Sequence, residues 1–235
     1  MKITRRAALG ALAAMGSAAL AGIGENAMAA VAPHPHELVP LPFDPKKLPG
    51  LSERLLVSHY DNNYAGALKN LAKVEEQLAT VTKDTPGFVV GGLKERELTF
   101  TNSVILHELY FANLGGDGKA SGAVRQALAD AFGSFGRFEE LFRATGMSLA
   151  GGSGWTILDY SFPTDQLRIY WSGNHTQSVA FGAPLLVLDM YEHAYAIDYG
   201  AAAAKYVDAF IGNVQWDAVS RRYERARKAA QAMNG

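Results

Sequence analysis

Late in the chain stands Asp189-Met190-Tyr191-Glu192-His193-Ala194-Tyr195. It follows Pro184-Leu185-Leu186-Val187-Leu188, a short unbroken apolar run of the kind that forms a buried strand. From Met190 onward the pattern returns to helix. The aspartate therefore falls at a strand end and the histidine one helical turn later, and both side chains can address the same point. Imidazole nitrogen and carboxylate oxygen together suit redox-active metals of hard-to-borderline character.

Upstream of this stretch, two further runs rich in β-branched and aromatic residues, 155–160 and 167–171, are separated by Pro163-Thr164-Asp165 and predict a small antiparallel sheet with 184–188. Gly151-Gly152-Ser153-Gly154 introduces them. Residues 121–134 and 135–147 read as two short helices, the second opening at Ser134 or Gly136. A longer helix is expected from about 95 to 114, with Val104, His107, Phe111 and Leu114 on one face; Gly115-Gly116-Asp117-Gly118 stops it. The stretch from Ser52 to about 82 has no proline and predicts a long helix, bent or broken somewhere along its length. Residues 33–50 hold six of the nine prolines and predict an extended arm. Downstream, the last helix ends in Arg221, Arg222, Arg225, Arg227 and Lys228, which read as a solvated face rather than a binding patch. The fold class is α+β, with an N-terminal arm and helical hairpin (30–118) followed by a mixed α/β domain (119–235) built on a three-stranded antiparallel sheet.

Composition narrows the chemistry. The 235 residues include no cysteine, 22 basic and 23 acidic side chains, and a formal charge of −1. Disulfides and thiolate metal sites are excluded, and nothing in the net field attracts nucleic acid or an anionic membrane. Only six histidines are present. His34 and His36 sit in the proline-rich arm without an assigned role. His59 and His107 fall on predicted helices, His175 in a loop after a strand and His193 on the last helical segment, and any one of them taken singly is better explained by a satisfied core or surface position.

The N-terminus begins Met1-Lys2-Ile3-Thr4-Arg5-Arg6, runs through an Ala/Gly/Leu stretch and reaches Ala27-Met28-Ala29, a small-x-small cleavage pattern. Residues 1–29 read as a signal peptide of twin-arginine type, with a general secretory leader and a permanent anchor as alternatives. An exported, periplasmic destination follows as an expectation, with no stable membrane insertion after removal of the leader. Without cysteine, stability there must come from packing, metal or oligomerisation.

Residues 189–195 resemble the D-x-W-E-H-A-Y signature of the iron/manganese superoxide dismutases. Segments 51–60 (LSERLLVSHY), 102–111 (NSVILHELYF) and Gly152-Ser153-Gly154-Trp155 agree in order, so the resemblance spans the chain beyond its leader. It implies that His59, His107, Asp189 and His193 ligate one iron or manganese ion per chain, with solvent completing the site. It also implies ping-pong disproportionation of superoxide to oxygen and hydrogen peroxide, and a homodimer or tetramer. His175 occupies the loop position of the residue that bonds the metal-bound solvent, with Ser103 as the alternative position on the second helix. Glu192 matches a glutamate that bridges to the neighbouring subunit. Trp155 matches a tryptophan lining the site, whereas Phe111 and Tyr191 stand where tryptophans are common, changes that keep an aromatic cage.

The funnel departs from the family pattern. Asn63 stands where a gateway histidine is usual, Ala67 where a tyrosine is, and Ala196 where a second tyrosine is; Tyr64, one position past Asn63, offers a substitute hydroxyl. These departures leave open an inactive metal-binding member of the family, or a related mononuclear metal oxidoreductase.

Overall fold

A computed structural model describes residues 37–177 and 180–234. The leader, His34 and His36 lie outside the described residues. Residues 37–50 form the arm, which contains neither helix nor strand. It is fastened to the first helices at Val39, whose N–H donates to the Tyr64 hydroxyl at 3.0 Å and whose carbonyl accepts from the Tyr60 hydroxyl at 2.9 Å.

Helix α1, Glu53–Ser58, opens at Ser52, whose Oγ accepts from the Leu55 N–H at 3.1 Å, and Glu53 in the first turn complements the helix dipole. The expected long helix then breaks. His59–Tyr64 is wound as a π-helix, and the α-helical winding resumes as α2, Ala65–Leu78. Such wide turns inside helices recur at functional sites, and here the turn begins on a histidine. Helix α3, Gly87–Ala112, starts well before residue 95. Gly87, Gly91 and Gly92 argue against helix by propensity, but Pro86 fixes the entry, and its carbonyl accepts from both Val89 and Val90.

Helices α4, Gly122–Phe132, and α5, Phe135–Met147, fall where the sequence predicts them. Gly133, at φ +85°, closes the first, and the Ser134 side chain caps the second. Strands β1 (Trp155–Ser161), β2 (Gln166–Ser172) and β3 (Gly182–Asp189) form an antiparallel sheet in the order β2-β1-β3. Every residue of the central strand is buried. The register sets Trp155 opposite Asp189, delivering both to one end of the sheet. The helical return after Met190 comes in pieces: a single 3-10 turn at Glu192–Ala194, then α6 (Ala196–Tyr199), α7 (Ala203–Gly212) and α8 (Trp216–Asn234). One hydrophobic core, running from Leu48 to Ala230, takes in both the hairpin and the sheet. Among the described residues no helix is long and apolar enough to cross a membrane.

Two glycines make opposite predictions. Gly154, at φ +139°, starts the sheet, and a Cβ there would lie 2.2 Å from the Ser172 carbonyl oxygen. Gly154→Ala is therefore expected to cost about 2 kcal/mol or more in denaturant unfolding. Gly91, inside α3, would bring such a Cβ within 4 Å of nothing among the described residues beyond its own helix backbone and chain neighbours. Gly91→Ala should stabilise by about 0.5–1 kcal/mol through helix propensity.

Candidate metal centre

Four elements meet at Asp189. Its backbone carbonyl accepts from the Tyr206 hydroxyl at 2.7 Å, and its Oδ1 accepts from the Tyr191 N–H at 2.8 Å. The carboxylate is thereby fixed at the strand end with Oδ2 turned inward. Around Oδ2 stand His59 Nε2 at 3.1 Å from the π-helical turn, His193 Nε2 at 3.2 Å from the 3-10 turn and His107 Nε2 at 3.7 Å from α3. One atom from each of the four residues lies within 4.8 Å of the others. His59, His107 and Asp189 are fully buried, while His193 is 26% exposed and so forms the open side.

The tautomers follow from the partners. His107 Nδ1 lies 2.6 Å from the Ser103 carbonyl, which can only accept, so Nδ1 carries the proton and Nε2 presents a lone pair to the site. Among the described residues that buried Nε2 has no hydrogen-bond partner. An orphaned imidazole nitrogen facing two more imidazoles and a carboxylate fits a metal ion, and the N₃O donor set suits iron or manganese. Protonation states agree. Burial opposes charge on Asp189, but the His193 and His59 imidazoles outweigh it and hold the carboxyl well below its ordinary range. Burial, with His59 adding, pushes His107 down to about 3, and burial also lowers His59. Asp189 is thus held as a carboxylate while burial keeps His59 and His107 neutral, the state in which these groups can ligate.

His175 is brought to the same place. Trp155 Nε1 donates to its Nδ1 at 3.0 Å, and burial lowers its pKa. The ring is neutral, with its proton on Nε2. It stacks on Tyr191 at 4.6 Å and 8°. Tyr191 in turn stacks on His193 at 5.3 Å, Trp155 meets the His107 ring edge-on at 5.1 Å and Phe111 packs on His59 at 5.1 Å. These rings keep the site dry and restrict imidazole rotation.

A cavity of about 200 Å³ leads to His107, His175 and His193, past Asn62, Asn63, Ala67, Asn70 and Ser103. Asn63 and Ala67 thus lie in the funnel. Tyr64 does not line it; its hydroxyl donates to Glu108 Oε1 at 2.8 Å and accepts from the arm. Glu192 and Ala196 are exposed in the single chain.

Three supporting residues had no assigned role in the sequence reading. Asn102 Nδ2 donates to the His175 carbonyl at 2.6 Å, Tyr206 holds the Asp189 backbone, and Glu108 holds Tyr64. Asn102 lies within a segment that carries the family resemblance, whereas no local pattern marks Tyr206.

Comparison with known proteins agrees with this geometry. Residues 120–222 match the family model of the iron/manganese superoxide dismutases, C-terminal domain. A superoxide dismutase [Fe] of Cupriavidus metallidurans is 47% identical over 192 residues, spanning 81% of this chain and 98% of that protein. A superoxide dismutase [Fe] of Saccharolobus solfataricus is 35% identical over 200 residues, covering 81% of this chain and 94% of that one. Superoxide dismutase [Mn] 2 of Haloferax volcanii is 34% identical over 197 residues, with 81% and 96% covered.

Proposed function

The chain belongs to the iron/manganese superoxide dismutase family, and from that premise we propose the part each residue plays. His59, His107, Asp189 and His193 hold one iron or manganese ion; the convergence of their four ligand atoms within 4.8 Å carries this reading. The ion, when bound, supplies the one-electron redox chemistry by which two superoxide anions and two protons become one dioxygen and one hydrogen peroxide.

The chain's own residues prepare that reaction. Asp189 contributes the one negative charge of the set, which favours a cation in a dry interior. Trp155 fixes the His175 tautomer, and His175 directs an Nε2–H into the site, where it can donate a hydrogen bond and hold a proton. The aromatic rings exclude bulk water, while Asn62, Asn63, Asn70 and Ser103 line the approach with neutral hydrogen-bonding groups that admit a small anion. His175→Ala should leave the metal content intact and lower kcat/KM by about 10–100-fold, with a shifted pH profile. Loss of metal instead would place His175 among the groups that hold the ion.

The reading extends to assembly and address. Glu192 is exposed next to His193, the partly exposed ligand, which supports a homodimer closed over His193. Residues 1–29 form a twin-arginine-type leader to the periplasm, and 30–118 and 119–235 are the two domains. Light scattering on the exported protein should give two or four chains, shifted toward the monomer by Glu192→Ala. N-terminal sequencing should begin near residue 30; a monomer or an uncleaved terminus contradicts these assignments.

A further inference from the structure

A second cavity, of about 390 Å³, lies between the arm at Pro42, the end of α3 at Ala112 with Leu114 and Gly115 just beyond it, and α8. None of its lining residues lines the funnel to the histidine cluster. Three arginines line it, the half-buried Arg222 and the exposed Arg221 and Arg225, and among the described residues no acidic residue does. Ala218, Arg222 and Arg225 follow one another at helical spacing along one stripe of α8, with Arg221 beside it. The basic run that reads in the sequence as a solvated face is largely exposed, and three of its residues also line this cavity.

Arg222 is the centre of the arrangement. It is half-buried, and its Nη1 donates to two neutral oxygens, Asn113 Oδ1 and the Leu185 carbonyl. Among the described residues its Nε and Nη2 have no hydrogen-bond partner, and none of the three arginines is in an ion pair. Burial and the neighbouring Arg221 and Arg225 push the Arg222 pKa down to about 10, as expected for a cation held near like charges without a counter-charge. A partly buried charge left unpaired is costly, and a polyvalent oxyanion relieves both the desolvation and the mutual repulsion. The guanidinium fork matches two oxygens of a phosphoryl group. The chain as a whole carries a charge of only −1, so the positive field is local, which fits a small ligand better than a polyanion.

We propose that Arg221, Arg222 and Arg225 form a binding site for a phosphoryl oxyanion, which on binding ties α8 to the end of α3 and to the arm.

The test uses the metal-loaded protein and follows thermal unfolding in inorganic phosphate against sodium chloride of equal ionic strength. At phosphate about 100-fold above its dissociation constant, a ligand bound only to the folded state should raise Tm by about 5 °C or more for a chain of this size. The double variant Arg221→Gln/Arg225→Gln should lose that rise and keep its dismutase activity, while Arg222 stays in place because Asn113 and Leu185 depend on it. Calorimetric titration should give one phosphate per chain. The same titration with glycerol phosphate separates the sources: tighter binding of the ester points to a phosphate ester, tighter binding of the inorganic ion to free phosphate. Equal Tm in phosphate and chloride, or a rise retained in the double variant, overturns the proposal.

Discussion

Asp189→Asn should leave a folded protein that no longer retains its ion. The asparagine has the same shape, its Oδ1 can still accept from the Tyr191 N–H, and the Tyr206 hydroxyl still reaches the backbone carbonyl, so the strand end keeps its position. What disappears is the only negative charge in the set, and a neutral amide stands where Oδ2 faced His59 and His193 at 3.1 and 3.2 Å. Losing a hydrogen-bond partner of a ligand costs metal affinity about 10–100-fold; losing the anionic ligand itself should cost more. Metal analysis is expected to fall from one ion per chain toward zero, and superoxide turnover to fall with it. His175→Ala is the control, since it should keep the ion. Full metal content in Asp189→Asn would show that the three imidazoles suffice and that the carboxylate serves only to orient them.

Asp159→Asn should stabilise the protein, and only at the higher end of the pH range. Asp159 lies in β1, where the pairing with β3 slips between Leu158 and Asp159, and among the described residues neither of its buried carboxylate oxygens has a hydrogen-bond partner. Its carboxylate is pressed against Gly182, where an added Cβ would come within 2.1 Å of Oδ2. Burial raises its pKa from the ordinary 3.8 to about 6. Because the folded value is the higher one, the group's favourable contribution is complete below about 3.8 and is lost as pH rises through about 6. With about 1.4 kcal/mol for each unit of difference, about 3 kcal/mol is lost by neutral pH. Asparagine carries no charge to desolvate. Denaturant unfolding at pH 8 should therefore show a gain of about 2–3 kcal/mol for Asp159→Asn, shrinking toward nothing as pH falls to about 4. The same gain at both ends of the range, or a loss at pH 8, would mean that the carboxylate is not the source of the cost.

How much of this was visible in the sequence depends on whether the signal is local. The three strands, α4 and α5 were legible because their patterns and turn residues lie within a few positions of one another. The start of α3 was not, because the glycines near residue 90 lower helix propensity while Pro86, outside the expected span, fixes where the helix begins. The π-helical winding at His59–Tyr64 appeared only as an expected break. Asp189 and His193 could be joined by strand-end geometry, but His59 and His107 come from distant segments, and only the resemblance of whole segments brought them into the set. The supporting contacts are less legible still. Tyr206 to the Asp189 carbonyl and Asn102 to the His175 carbonyl link residues 17 and 73 positions apart, and no periodicity announces either. Tyr64 shows the converse. Its place one position past Asn63 suggested a hydroxyl for the funnel, whereas packing directs that hydroxyl to Glu108 and the arm.

The most direct test of the account is metal analysis of the natively produced protein paired with a superoxide dismutase assay on the same preparation. The four-residue centre predicts one iron or manganese ion per chain, and superoxide disproportionation far above that of the free ion. A protein that binds no such ion, or one that holds a full complement and turns over no more superoxide than the free ion, would contradict it.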